Sequence, residues 1–173
     1  AKELGFKSIN IDLMYGLVDQ STEMAIQDVE TAIQLDPDHL SFYELTIEPN
    51  TLFHHKRPKL PNEATLERIE ASCQTRIRQV YQQYEISAFC KPGHQCQHNR
   101  HYWRYGDYLG IGAGAHSKIT QQDQKIIRLQ SCKHPKTYLT NGRSENYQAH
   151  QVDITNRVFE FALNRWRLAE PID

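Results

Sequence analysis

Residues 6–48 restrict the fold more than any other part of this chain. From Phe6 to Met14, Ile9, Ile11 and Leu13 alternate with Asn10, Asp12 and Met14, the period-two pattern of a strand. Ser21 or Thr22 then caps a helix with Glu23 in its first turn, and Ala25, Val29, Ala32 and Ile33 form its buried stripe. Asp36-Pro37-Asp38 stops that helix, and alternation resumes from Leu40 to Glu48. There Tyr43, Leu45 and Ile47 share one face, and Phe42, Glu44, Thr46 and Glu48 share the other. Two strands joined by a long helix pair in parallel with a right-handed crossover. Strands of an open doubly wound sheet are apolar on both faces, and these are not. Two arrangements remain. The polar set Asn10, Asp12, Glu44, Thr46 and Glu48 lines the inside of a barrel, or it faces water at a sheet edge. In a barrel, functional groups gather at the C-terminal strand ends, where Asp12 and Thr46 would sit.

Further elements follow from the same periodicities. Glu48-Pro49-Asn50-Thr51 reads as a turn and His54 to Pro58 as a solvated loop whose adjacent histidines are assigned no metal. Asn62 opens a helix with Leu66, Ile69, Cys73, Ile77 and Val80 as its stripe. Tyr84 to Phe89 reads as a third strand, Lys125 to Leu129 as a short strand, and Thr137 to Gln151 as polar loop. A last helix runs from about Asp153 to about Leu168, with Ile154, Val158, Phe161, Ala162 and Trp166 facing inward.

The chain has 173 residues, enough for one domain with a real core. A net charge of −1 gives no basic surface for nucleic acid, and no apolar run approaches the ~20 residues that span a bilayer. Cys73, Cys90, Cys96 and Cys132 lack framework spacing and read as reduced thiols of a cytoplasmic protein. Ala1 to Gly5 reads as the last turn of a helix closed by a glycine, and the apolar run Val158 to Leu163 wants a partner, so the chain reads as a piece of a larger protein.

Chemistry concentrates between Gln95 and His116, in QCQHNRHYWRYGDYLGIGAGAH. Cys90, Cys96 and His98 lack the paired knuckles of structural zinc. Gly110-x-Gly112-x-x-Ala115 fits a loose dinucleotide pattern, but the residues after His116 make a poor helix start. No nucleophile-elbow pattern surrounds Ser87 or Ser117. An imidazole beside aromatic rings suits heme, since histidine is an ordinary axial iron ligand and rings line a flat macrocycle. His98 with Tyr102 and Trp103 has that composition, which is equally that of a structural histidine.

Five segments in order carry a resemblance: residues 9–17 (INIDLMYGL), 39–51 (HLSFYELTIEPNT), 84–88 (YEISA), His98-Asn99-x-x-Tyr102-Trp103, and 107–116 (DYLGIGAGAH). The chain resembles the radical SAM heme chaperones, the oxygen-independent coproporphyrinogen III oxidase-like family. The resemblance implies an α/β fold, a fragment of a partial (β/α)6 TIM-like radical SAM barrel. Residues 1–50 would be its last strands, and 51–173 a C-terminal extension with the heme-motif region and the start of a helical domain. It implies S-adenosylmethionine contacts at Asp12, Thr46 and His116, and heme contacts at His98, Asn99, Tyr102 and Trp103, with His98 on the iron. It also implies a [4Fe-4S] cluster on a Cys-x3-Cys-x2-Cys motif, which this chain lacks, so the chain alone is expected to generate no radical. Heme-acceptor proteins are the implied partners and the cytoplasm the implied location. The alternative within the family is a porphyrinogen oxidase. One departure is Val18-Asp19, where relatives carry Pro-Gly; it touches no implied ligand.

Overall fold

Alternation and capping produce the expected strand–helix–strand unit. In the computed structural model, which describes residues 2–141 and 145–171, β1 (Asn10–Tyr15), α1 (Thr22–Gln34) and β2 (His39–Glu44) follow in order. The Ser21 hydroxyl accepts from the Met24 N–H and opens α1. At its other end Asp36 takes a left-handed φ of 53° and Pro37 forbids continuation. β1 and β2 are parallel, with Asn10 opposite His39 and Tyr15 opposite Glu44.

α2 (Leu52–Lys56) and α3 (Glu63–Ile77) come next. His54 and His55 therefore lie in a short helix capped by Thr51, not in an open loop. Asn62 caps α3 as expected, accepting from the Thr65 N–H. Ile69, Cys73 and Ile77 are fully buried, whereas Val80 falls past the helix end and is exposed. The expected third strand is a hairpin, β3 (Gln82–Glu85) and β4 (Ala88–Cys90). The chain reverses at Ile86-Ser87, and the Ser87 carbonyl accepts from the Phe42 N–H. The sheet order is β1-β2-β4-β3, with β4 antiparallel to β2. One face packs Tyr15, Leu40 and Phe42 against Val29, Ile69 and Ile77 from α1 and α3. Each fully buried aliphatic side chain there contributes about 1.5–3 kcal/mol.

The register corrects the expected strand faces. Parallel partners point the same way, so Asp12 lies with Ser41 and Asn10 with His39, while Leu13 lies with Phe42 and Tyr15 with Glu44. Glu44 is thus on the helix-packed face, opposite Asp12. β2 ends at Glu44, so Thr46 and Glu48 are exposed residues beyond the strand and not part of its polar face. Phe42 decides the phase: burying its ring against α1 and α3 outweighs placing the shorter Glu44 on the polar side.

A second compact unit begins at Gln97, the first being Ala1–Cys96. It contains α4 (Gln97–Trp103), β5 (His116–Thr120), β6 (Ile126–Ser131), α5 (Pro135–Thr140), β7 (Tyr147–Gln151) and α6 (Ile154–Arg165). β5, β6 and β7 form an antiparallel sheet in that order. The segment read as polar loop from Thr137 to Gln151 holds much of α5 and all of β7 around residues 142–144, which lie outside the described set. β7 is exposed along its length, so its pairing rests on the backbone ladder and leaves no apolar alternation to read. α6 starts where expected, with the Asp153 carboxylate accepting from the Asn156 N–H. Its stripe is not buried among the described residues: Ile154, Val158 and Trp166 are 77%, 67% and 71% exposed. No helix among the described residues is long and apolar enough to cross a membrane.

Candidate functional site

α4 carries the His98–Trp103 motif. No periodic stripe announced this helix, because it is barely two turns long and its residues are polar or aromatic. It ends where Tyr105 takes a φ of 63° and the Gly106 N–H returns to the His101 carbonyl. A Cβ on Gly106 would lie 2.4 Å from the His101 ring, so the turn closes only over glycine. His101 Nε2 donates to the Asp107 carbonyl at 2.6 Å, which makes His101 part of that turn. His98 is exposed and makes no side-chain hydrogen bond among the described residues. Asn99 is half-buried.

Tyr102 and Trp103 form an edge-to-face pair with centroids 4.8 Å apart, and Tyr102 also meets Tyr108 at 5.1 Å. The Arg167 guanidinium lies 4.2 Å over the Trp103 ring. Trp103 Nε1–H is buried with no hydrogen-bond partner among the described residues. Burial, and then the bond with Tyr102, push the Tyr108 hydroxyl above its ordinary pKa.

Behind the aromatics sit paired charges. Lys118, almost fully buried, donates to the Tyr105 carbonyl at 2.9 Å and to Asp107 Oδ1 at 2.8 Å, with its ammonium 4.2 Å over the Tyr105 ring. Burial works against ionising Asp107, but bonds from Lys118 and Thr120 outweigh it and hold the carboxyl below its ordinary value. Tyr105 donates to Glu160 Oε2 at 2.8 Å, and burial, followed by that contact, raises its hydroxyl to about 12.

The glycine turn folds back on β5. A Cβ on Gly110 would meet the His116 carbonyl oxygen at 2.1 Å, and the Gly110 N–H donates to Ser117 Oγ at 2.9 Å. A strand follows the turn, so no helix N-terminus faces it and the dinucleotide pattern fails on context. His116 is exposed at the first position of β5.

In the first unit, Asp12 is exposed on the polar face of β1. Asn10 Nδ2 donates to its Oδ1 at 2.7 Å. Asn10 Oδ1 in turn takes His39 Nδ1 at 2.6 Å and the Ser41 hydroxyl at 3.2 Å. His39 Nε2 meets the Tyr84 hydroxyl at 2.8 Å, and Tyr84 accepts from the Cys96 N–H at 3.3 Å. Burial lowers the His39 pKa, with Asp12 pulling weakly the other way. Sequence reasoning reached Asn10 and Asp12 but assigned nothing to His39, Ser41 or Tyr84, although His39 and Tyr84 begin two of the five recognised segments. Asp12 and the His39 group belong to the first unit; His98, Tyr102, Trp103 and His116 belong to the second.

Comparisons with known proteins show what the chain is similar to. No family model matches the chain. It is 50% identical over 171 residues to the heme chaperone HemW of Escherichia coli, covering 98% of this chain and 45% of that protein. The heme chaperone HemW of Haemophilus influenzae is 49% identical over 99% of this chain and 45% of its own length. Over nearly its whole length the chain is similar to the HemW heme chaperones. The solved coproporphyrinogen III oxidase HemN from Escherichia coli, a radical SAM enzyme, superposes with a TM-score of 0.77 over 96% of this chain and 42% of that one, at 22% identity. That likeness establishes a mixed α/β fold shared with HemN. The chain spans about 45% of the length of the curated HemW relatives it matches.

The cysteines do not fit an iron–sulfur cluster. All four are free, and burial raises the Cys73 thiol to about 11 and the Cys90 thiol above its ordinary value. Among the described residues no three His, Cys, Asp or Glu side chains converge as a metal site. Heme and S-adenosylmethionine fit better. His98 presents an imidazole unengaged among the described residues, while Asp12 presents a carboxylate held by Asn10 with its Oδ2 unbonded among the described residues.

Proposed function

We propose that this chain is the heme-holding part of a heme chaperone that passes heme to acceptor proteins in the cytoplasm. His98 is the ligand to the heme iron, and Asn99, Tyr102 and Trp103 shape the pocket. One observation carries the reading: an exposed imidazole with no competing hydrogen bond among the described residues shares a two-turn helix with a paired Tyr102 and Trp103. Heme, when bound, would supply an iron that the His98 imidazole could ligate. His98 and Tyr102, four apart, lie on one face of α4, so a ligand on His98 meets the Tyr102 ring.

In the intact protein, Asp12 and Thr46 of the first unit, and separately His116 of the second, would each contact S-adenosylmethionine. Asp12 accepts hydrogen bonds from the hydroxyl or ammonium groups of that molecule. Residues 1–50 are the last strands of a partial (β/α)6 barrel and residues 51–173 an extension leading into a helical domain. The [4Fe-4S] cluster binds elsewhere in the full-length protein, so this chain alone produces no radical.

Titrating heme into full-length wild type and His98→Ala tests the ligand. A Soret band that shifts and weakens in the variant is expected, and identical spectra overturn His98. A second reading, porphyrinogen oxidation, is favoured by the likeness to coproporphyrinogen III oxidase. Anaerobic turnover of coproporphyrinogen III by the full-length protein would replace the chaperone reading with that one.

A further inference from the structure

The hydrogen bonds behind Asp12 have a single consistent direction. Asp12 as a carboxylate only accepts, so the Asn10 amide turns its Nδ2–H2 toward it. Asn10 Oδ1 is then the acceptor for its other two partners, and both the Ser41 hydroxyl and His39 Nδ1–H must donate. A neutral His39 protonated on Nδ1 has an accepting Nε2, which takes the Tyr84 hydroxyl proton. The Tyr84 oxygen accepts from the Cys96 backbone. From Cys96 through Tyr84, His39 and Asn10, every donor points toward the Asp12 carboxylate.

The members differ in burial. His39 and Tyr84 are 4% and 6% exposed, while Asn10 and Asp12 face outward. The chain is therefore anchored in the interior and ends on a carboxylate open to a ligand. It also crosses the sheet, since Asn10 is on β1, His39 on β2 and Tyr84 on β3. A short side chain held through a locked amide keeps one orientation without rotamer freedom to lose on binding.

We propose that His39 is a positioning residue for S-adenosylmethionine: through Asn10 it fixes the Asp12 carboxylate in its binding orientation, with Tyr84 fixing His39. This rests on the reading of Asp12 as an S-adenosylmethionine contact. His39 touches no ligand. It acts by holding Asn10 Oδ1 on one side so that Asn10 Nδ2 holds Asp12 on the other.

The test is equilibrium dialysis of S-adenosylmethionine against the full-length, cluster-reconstituted protein, with cluster content and thermal midpoint measured for each variant. His39→Phe keeps the ring and removes both bonds; it is expected to raise Kd about tenfold, the scale of losing a hydrogen bond. His39→Gln keeps one donor and one acceptor and is expected to recover most of that loss, a rescue that a purely space-filling role would not give. Tyr84→Phe removes a single hydroxyl and is expected to raise Kd about threefold. Should His39→Phe fail to fold, Tyr84→Phe alone decides. The decisive comparison is a double-mutant cycle with Asp12→Asn: combined with it, His39→Phe is expected to add little further loss. Additive losses would overturn the proposal, because His39 would then act independently of Asp12. Wild-type binding by His39→Phe with weakened binding by Asp12→Asn would overturn it while leaving Asp12 a contact. Wild-type binding by both would overturn the role of Asp12, and this inference with it.

Discussion

Val29, Leu40, Ile69, Ile77 and Phe89 are fully buried in the first unit, around a sheet covered by two amphipathic helices. In the second unit the large apolar residues buried among those described are Ile126, Val152 and Leu168, and Lys118, Ser117, Ser131, Asn146 and Arg165 share the interior with them. The first interior is held by area removed from water, which is non-directional and tolerant of small shifts. The second is held by pairs with fixed geometry: Lys118 on Asp107, Arg128 on Glu160, Arg104 and Arg165 on Glu170. Paired charges bury well only when every partner is present. The two units are therefore expected to respond differently to substitution, the first through lost packing and the second through broken pairs.

The contrast is open to four tests in the full-length protein. Phe89→Ala carves a cavity in the apolar interior and is expected to cost about 3–5 kcal/mol by denaturant unfolding. A loss below about 1 kcal/mol would show that the first unit is not held by packing. Lys118→Met removes the cationic partner of Asp107 and the donor to the Tyr105 carbonyl and is expected to cost about 2 kcal/mol; Asp107 keeps its bonds from Thr120 and is 43% exposed, so water softens the loss that a fully buried pair would suffer. An equal or greater stability of the variant would place the second unit with the first.

The third test uses pH. Hydrogen bonds from Arg104 and then Arg165 hold the Glu170 carboxyl down from its ordinary 4.5 to about 2. A depressed carboxylate stabilises the fold above its unfolded value and loses that contribution as pH falls through its folded value. The stability gap between wild type and Glu170→Gln is therefore expected to be complete above about pH 4.5 and to close toward pH 2. A gap that does not vary with pH would remove Glu170 from the arginine network. Smallest is His98→Ala, expected to change stability by less than about 0.5 kcal/mol because the ring is exposed and unbonded among the described residues, while altering the heme spectrum. A large stability loss there would make His98 structural.

Legibility followed the type of force. Ser21, Asn62 and Asp153 each cap the helix expected from the sequence, because a cap is a contact within three residues. The stripe Ala25, Val29 and Ala32 is buried as read. β3 and β4 merged into one strand on reading, because Ile86-Ser87 carries no glycine or proline to announce a reversal. The exposed β7 was missed because its residues hold their place by backbone bonds to β6 alone. In the site, Asp12 was legible as a polar residue on an alternating strand. The dependence of Asp12 on His39 was not, since 29 residues separate His39 from Asn10.

By itself the sequence determined the parallel strand–helix–strand unit, the helix starts, the family resemblance through five ordered segments, and the presence of an imidazole–aromatic motif. Only the tertiary structure decided which strand face meets the helices, because alternation fixes a period but not a phase, and the register set by Phe42 packing moved Glu44 away from Asp12. It also decided that Lys118 closes the turn after α4 and that Tyr84, His39 and Asn10 line up behind one carboxylate. Those contacts join residues far apart in the chain through hydrogen bonds whose direction depends on atoms, and no local pattern of residue types encodes them.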